Sequence, residues 1–183
     1  MTTKLKTLWK SMPADMSPHN FHYEIGRWHE HKADLKICES GFHASKNVID
    51  AMYYVNAGVI AQVQVRGRSV IQDDKECWSE MRIAKAWKWE KEDSVALAIF
   101  AAELVIDIYE KKYPNDDRPR KAIEAAKAYM NNPSDAANAT YAAANAATYA
   151  AYTANAAYAL KGVKEKCVKF VIVRLEKKTP IKK

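Results

Sequence analysis

The sequence predicts an α+β protein: a small mixed sheet with one flanking helix, then a three-helix Ala-rich unit, then a C-terminal strand returning to the sheet. Three observations predict it. Short β-patterned runs stand on either side of a glycine turn at Gly41 and the helix that follows it. Beyond residue 90 helical patterns take over, punctuated by Pro114, Pro119 and Pro133. The stretch 167–175 is then rich in β-branched residues and has no strand neighbour in the helical half. The expected division is 1–90 as the α+β domain, 91–161 as the helical domain and 162–183 as strand and basic tail.

In the first half, Leu5, Leu8 and Trp9 sit among lysines and end at Met12-Pro13. The run 21–26 alternates and ends in Gly26, which reads as an early strand and turn. Gly41 supplies a turn because it lacks a Cβ. Phe42-His43-Ala44 is strand-like, and Ser45 is an N-cap for a helix with Val48, Ala51, Met52 and Val55 on its apolar side. Residues 59–65 alternate as a strand, and Arg66-Gly67-Arg68 is expected to turn the chain. Asp73-Asp74-Lys75 reads as a loop. The segment 78–89 has an ambiguous period and is read as a helix running into a short strand.

In the second half, Asp93 or Ser94 caps a helix over 95–112 that is apolar on nearly every side, the pattern of a central bundle helix. Pro114 ends it, and Pro119 starts a second helix through Met130. Asn131-Asn132-Pro133 breaks that helix, and Ser134 or Asp135 caps a third. More than half of 136–160 is Ala, the best helix former. At helical periodicity Asn138, Tyr141, Asn145, Thr148, Tyr152 and Asn155 share one face, with Tyr149 at its edge and Ala opposite. The Ala face suits close helix packing. The Tyr/Asn face suits a protein partner, because Tyr covers area at little entropic cost and Asn adapts its hydrogen bonds. Those six Tyr and Asn residues, Tyr149 included and Thr148 set aside, are the expected partner-binding surface.

Composition narrows the function. Cys38, Cys77 and Cys167 are an odd, scattered set, which argues against a disulfide framework and for a reducing cytoplasm. No apolar leader opens the chain, and Glu103 and Asp107 interrupt its longest apolar stretch, so neither export nor a membrane span is expected. The net charge of +7 resides in 161–183, where nine Lys/Arg face Glu165 and Glu176. That tail, through Lys177, Lys178, Lys182 and Lys183, is a candidate contact for nucleic acid, set against the simpler role of a solvated end. No phosphate-binding glycine loop, hydrolase elbow, zinc finger or RNA-recognition signature occurs.

Three resemblances add to this. Cys38-Glu39-x-Gly41-Phe42-His43-Ala44-Ser45, with Ala51 and Val63-Gln64-Val65, resembles a domain of phage and prophage proteins for which no activity is agreed. Residues 112–126, with Pro114-x-Asp116-x-Arg118-Pro119-Arg120, are similar to a helical segment of bacterial immunity proteins that also continues into an Ala-rich helix. The turn from Gly41 to Ser45 followed by a helix looks like the second motif of small ADP-ribosyltransferase-like domains. That likeness implies a nucleotide pocket at Phe42, His43 and Ser45 with Glu80 as the acid. The early strand departs from the family's opening, Ile25-Gly26-Arg27 having the order reversed, which implies a binding-only relative rather than an active enzyme.

His19, His22, His29 and His31 with Cys38 match no established zinc spacing, so no metal is expected. Cys38 and His43 lack a third group to orient them, so thiol catalysis is not expected either. The sequence therefore points to a cofactor-free binding protein of phage or mobile-element origin. It would neutralise a bacterial defence or toxin protein by contact, with an anti-CRISPR inhibitor as one instance.

Overall fold

The structure is a computed structural model that describes residues 5–53, 58–131 and 162–182. It divides into two compact units, Met1–Trp89 with Val171–Lys183, and Glu90–Phe170.

The first unit is built on a long hairpin, β4 (Val59–Ile71) and β5 (Glu76–Lys88), turned at 72–75 where Gln72 N–H donates to Lys75 O at 2.9 Å. β1 (Lys6–Met12) pairs with the outer edge of β4. β2 (Trp28–Glu30) and β3 (Phe42–Ala44) share the other flank of β5, opposite 80–82 and 76–78 respectively. All these ladders are antiparallel, so the expected mixed sheet is corrected. Among the described residues the parallel pairing is one isolated bridge, Ile25–Ile83.

The ends of this sheet meet. Trp9 and Ser45 exchange two backbone hydrogen bonds of 2.8 Å, tying the end of β3 back to β1. The sheet curls around Leu8, Met12, Tyr23, Phe42, Val63, Val65, Met81 and Ile83, all buried. Burying each such side chain contributes roughly 1.5–3 kcal/mol before entropy is counted. Short helix α1 (Val48–Tyr53) lies against β1, where Ser11 Oγ donates to Ala51 O at 2.6 Å. Asn47 caps it rather than Ser45: its Oδ1 accepts Asp50 N–H at 3.0 Å, while Ser45 is spent on pairing with Trp9.

Two further expectations in this half are corrected. Residues 66–68 do not turn the chain. The ladder slips between Arg66 and Ser69, so Gly67, at φ +85°, absorbs a bulge inside β4. Nor is 78–89 helical. Cys77, Ser79, Met81 and Ile83 are buried in strict alternation, and a second slip at Gln62/Val63 then shifts the phase. That phase shift is what blurred the period in the sequence.

The second unit holds α2 (Lys91–Glu103), α3 (Ile106–Lys112) and α4 (Arg118–Asn131). Glu90 rather than Asp93 or Ser94 is the N-cap; Asp93 stands at the third helical position and completes a capping box. The expected single helix is two, broken at Leu104-Val105, where Val105 leaves helical geometry at φ −129°. Ile99, Ala102, Ile106 and Ile123 form a small core, and Phe170 stacks on Phe100 at 4.5 Å.

The expected strand at 167–175 is also corrected: it lies within helix α5 (Val163–Glu176). Val163, Cys167, Val171 and Leu175 are the buried residues, spaced by four along one stripe. That stripe overrides the β preference of the valines between them. The chain after α5 is not loose, as Ile181 N–H donates to Ala86 O at 2.8 Å and its side chain packs on the first unit's core.

Candidate functional site

The Gly41 motif folds into a hydrogen-bonded node. Lys36 and Ser40 exchange backbone bonds of 2.9 Å, which puts Cys38 at the tip of a tight turn with φ +66°. Gly41 then enters β3 at φ +111°, where a Cβ would meet Cys77 Sγ at 2.5 Å and Leu35 Cδ2 at 2.8 Å. Cys38 N–H donates to His43 Nε2 at 2.9 Å, Lys75 Nζ to Cys38 Sγ at 2.8 Å, and Cys77 Sγ to Ser40 O at 3.0 Å. The His43 lone pair is thus spent on a backbone N–H and not on the thiol. Burial, with Lys10 and Lys75 nearby, pushes the His43 pKa down and keeps the ring neutral. Burial likewise raises the Cys77 thiol.

Beside this node lies an aromatic cluster. Phe21, Tyr23, His29 and Phe42 pack edge to face or tilted, with neighbouring ring centres 4.9–6.4 Å apart. Lys10 Nζ donates to His43 O at 2.9 Å and sits 5.5 Å from the Tyr23 ring centre; partial burial lowers its pKa to about 8. His29 Nε2 is buried with no hydrogen-bond partner, and burial lowers the His29 pKa.

Phe42 and His43 thus stand on β3 with Ser45 just after it, and Phe42 and Ser45 are buried. Glu80 lies apart from them on the stretch of β5 paired with β2, where its Oε2 accepts Arg66 Nε at 2.6 Å. The early histidines are dispersed. His22 Nδ1 is 2.9 Å from Ser17 Oγ, and His31 Nε2 is 2.7 Å from Ser40 Oγ. Among the described residues no three His, Cys, Asp or Glu side chains are grouped to hold a metal ion.

On β2, β4 and β5 a second arrangement appears. The Trp28 ring has Arg66 Cζ 4.1 Å and Arg82 Cζ 5.0 Å from its centre, and Arg82 Nε donates to Gln64 Oε1 at 2.7 Å. Sequence reasoning missed these residues. The signal was the polar alternation Gln62, Gln64, Arg66 in β4, which needs β5 read as a strand before Arg82 and Trp28 line up beside it.

In the helical unit, Asp116 is the hub of the link between α3 and α4. It accepts Tyr109 OH at 2.7 Å, Arg118 Nε at 2.8 Å, Arg118 Nη2 at 2.7 Å and Arg118 N–H at 3.2 Å. Arg120 grips Glu110 with two bonds of 2.5 and 2.7 Å. The spacing Asp116-x-Arg118-Pro119-Arg120 is therefore a device for setting α4 against α3.

Lys177 and Lys182 are exposed after α5; Lys183 lies outside the described residues. So do the expected partner-binding residues Asn138, Tyr141, Asn145, Tyr149, Tyr152 and Asn155. Among the described residues no helix is long and apolar enough to cross a membrane.

Family comparison resolves the chain into two parts. Residues 6–93 match the model of a domain of unknown function (DUF7666). Residues 87–167 match that of the Imm-5 like putative immunity protein. This agrees with the two-part description read from Gly41-Phe42-His43-Ala44 and from the Asp116–Arg120 spacing. No curated protein and no solved structure matches the chain.

Proposed function

We propose that this chain is a binding protein, encoded by a phage or other mobile element, that neutralises a bacterial toxin or defence protein by direct contact in the host cytoplasm. The match of residues 87–167 to the immunity-protein model carries this reading. An immunity protein needs no chemistry of its own; it needs a rigid scaffold and a surface complementary to its target. The Asp116 hub and the Arg120–Glu110 pair supply rigidity at the start of α4. The contact surface is assigned to Asn138, Tyr141, Asn145, Tyr149, Tyr152 and Asn155, from their spacing in the sequence. Inhibition of a CRISPR nuclease is one form such neutralisation could take.

The test is co-expression in bacteria with toxins and defence nucleases, starting with those encoded beside this chain. Restored growth or blocked nuclease activity, with co-purification of the pair, is the expected result. A chain that rescues without binding the effector would overturn contact neutralisation.

A further inference from the structure

The first unit brings Trp28, Arg66 and Arg82 together on three neighbouring strands. Trp28 stands on β2, directly across the ladder from Arg82 on β5, and Arg82 is in turn paired with Gln64 on β4. Arg66 lies two residues along β4, opposite Glu80. Both guanidinium centres are within 5.0 Å of one indole ring centre, so they can be no farther apart than the sum of their two distances. Each is oriented through Nε alone, Arg66 by Glu80 at 2.6 Å and Arg82 by Gln64 at 2.7 Å. Among the described residues the terminal Nη nitrogens of both arginines have no protein partner. The Arg66 charge is offset by Glu80, whereas Arg82 is held by a neutral amide and stays uncompensated.

Such a pair places two guanidinium groups beside one indole ring. The guanidinium fork matches a carboxylate or phosphate in a bidentate manner, and stacking on Trp28 fixes its plane at little further entropic cost. The surroundings decide between those anions. Glu30 pairs with Glu80 in the β2–β5 register, so two carboxylates stand on the rung of Arg66, beside the rung of Trp28 and Arg82. A polynucleotide backbone following the sheet would run into both. A protein surface presenting one Asp or Glu beside apolar area, with a basic residue for the exposed Glu30, would not.

We infer that Trp28, Arg66 and Arg82 form a binding point for an acidic side chain of a protein partner. Arg66 and Arg82 grip the carboxylate, and Trp28 supplies the apolar contact. Trp and Arg are the residues that most often dominate binding energy when clustered at an interface. This inference rests on no part of the helical surface assigned above, and either can fail without the other.

The experiment is a titration of the full chain with capped hexaglutamate, followed by NMR at the Trp28 indole N–H and the Arg66 and Arg82 Nε–H signals. Capped hexalysine and an oligothymidylate of the same length are the comparison probes. Saturable shifts with hexaglutamate are expected at these three residues, about tenfold weaker in Arg82→Gln, in line with the loss of a charge-assisted pair. Arg82→Lys keeps the charge but loses the fork, so it should fall between the two; it also serves if Arg82→Gln does not fold. Unmoved signals with hexaglutamate would overturn the inference. So would saturation of the same signals by the oligothymidylate at lower concentration, which would make this a phosphate site, or equal shifts with hexalysine.

Discussion

Arg118 wraps the carboxylate of Asp116, two residues before it, with Nε at 2.8 Å, Nη2 at 2.7 Å and its own backbone N–H at 3.2 Å. Tyr109 OH reaches the same carboxylate from α3 at 2.7 Å. These donors hold the Asp116 carboxyl well below the usual carboxylate range. A depressed folded pKa gives stability that is present above the ordinary carboxylate range and lost as pH falls through the folded value. Asp116→Asn should lower the melting temperature at neutral pH, and the gap to the parent should close in strong acid. Arg118→Ala, which leaves the Tyr109 bond, should cost less. Thermal melts of both variants across pH check the order.

The neutral histidines predict the opposite region of pH sensitivity. His43 and His29 both have lowered folded pKa values, mainly from burial. Between those values and the unfolded value of about 6.5 the unfolded chain binds more protons, so stability rises with pH there and falls on acidification. His43→Gln can still accept the Cys38 N–H bond and does not titrate. Denaturant melts from pH 7 to 5 should therefore show a shallower loss of stability than in the parent. An unchanged slope would mean that His43 protonates without strain.

Gly41 permits no side chain. Its φ of +111° is unfavourable for any L-residue, and a Cβ there would collide with Cys77 Sγ and Leu35 Cδ2. Gly41→Ala should destabilise by more than about 1 kcal/mol, the cost of Ala at a positive φ before the clash is added. Cys77→Ala in the same chain should recover part of the loss, measurable as the coupling in a double-mutant cycle.

Glu76 is a fully buried carboxylate that accepts Lys6 Nζ at 2.5 Å and Trp78 Nε1 at 2.9 Å. Lys6→Met leaves it with the indole alone and should cost about 1–3 kcal/mol, the penalty for a buried group stripped of a partner. Lys6→Met with Glu76→Gln should recover stability relative to Lys6→Met alone. Urea melts of the three variants check this.

The parts of this fold legible in the sequence are those fixed locally. Gly41, the β3 run, the Val59–Val65 alternation and the Pro119 start of α4 each follow from backbone sterics or a short period. The errors arise where distant packing decides. Bulges at Gln62/Val63 and Arg66/Ser69 shift the alternation of the hairpin and disguised β5 as a helix. In α5 the valines favour a strand one by one, but burial at Val163, Cys167, Val171 and Leu175 selects the helix. The break at Leu104-Val105 has neither glycine nor proline to announce it. The Trp28 site was illegible for a related reason: three separate strands supply it, and only their register brings Arg66 and Arg82 to one ring.

The most direct test of contact neutralisation is the affinity of Tyr141→Ala and Tyr152→Ala for the effector that the parent chain neutralises, measured by calorimetry beside their thermal melts. Alanine suits the helix that the sequence predicts over 136–160, so both variants should melt near the parent temperature. Binding should weaken by roughly 1–4 kcal/mol, the range of a hot-spot aromatic. Unchanged affinity together with a loss of about 3–5 kcal/mol of stability, the cost of truncating a buried aromatic, would contradict the account.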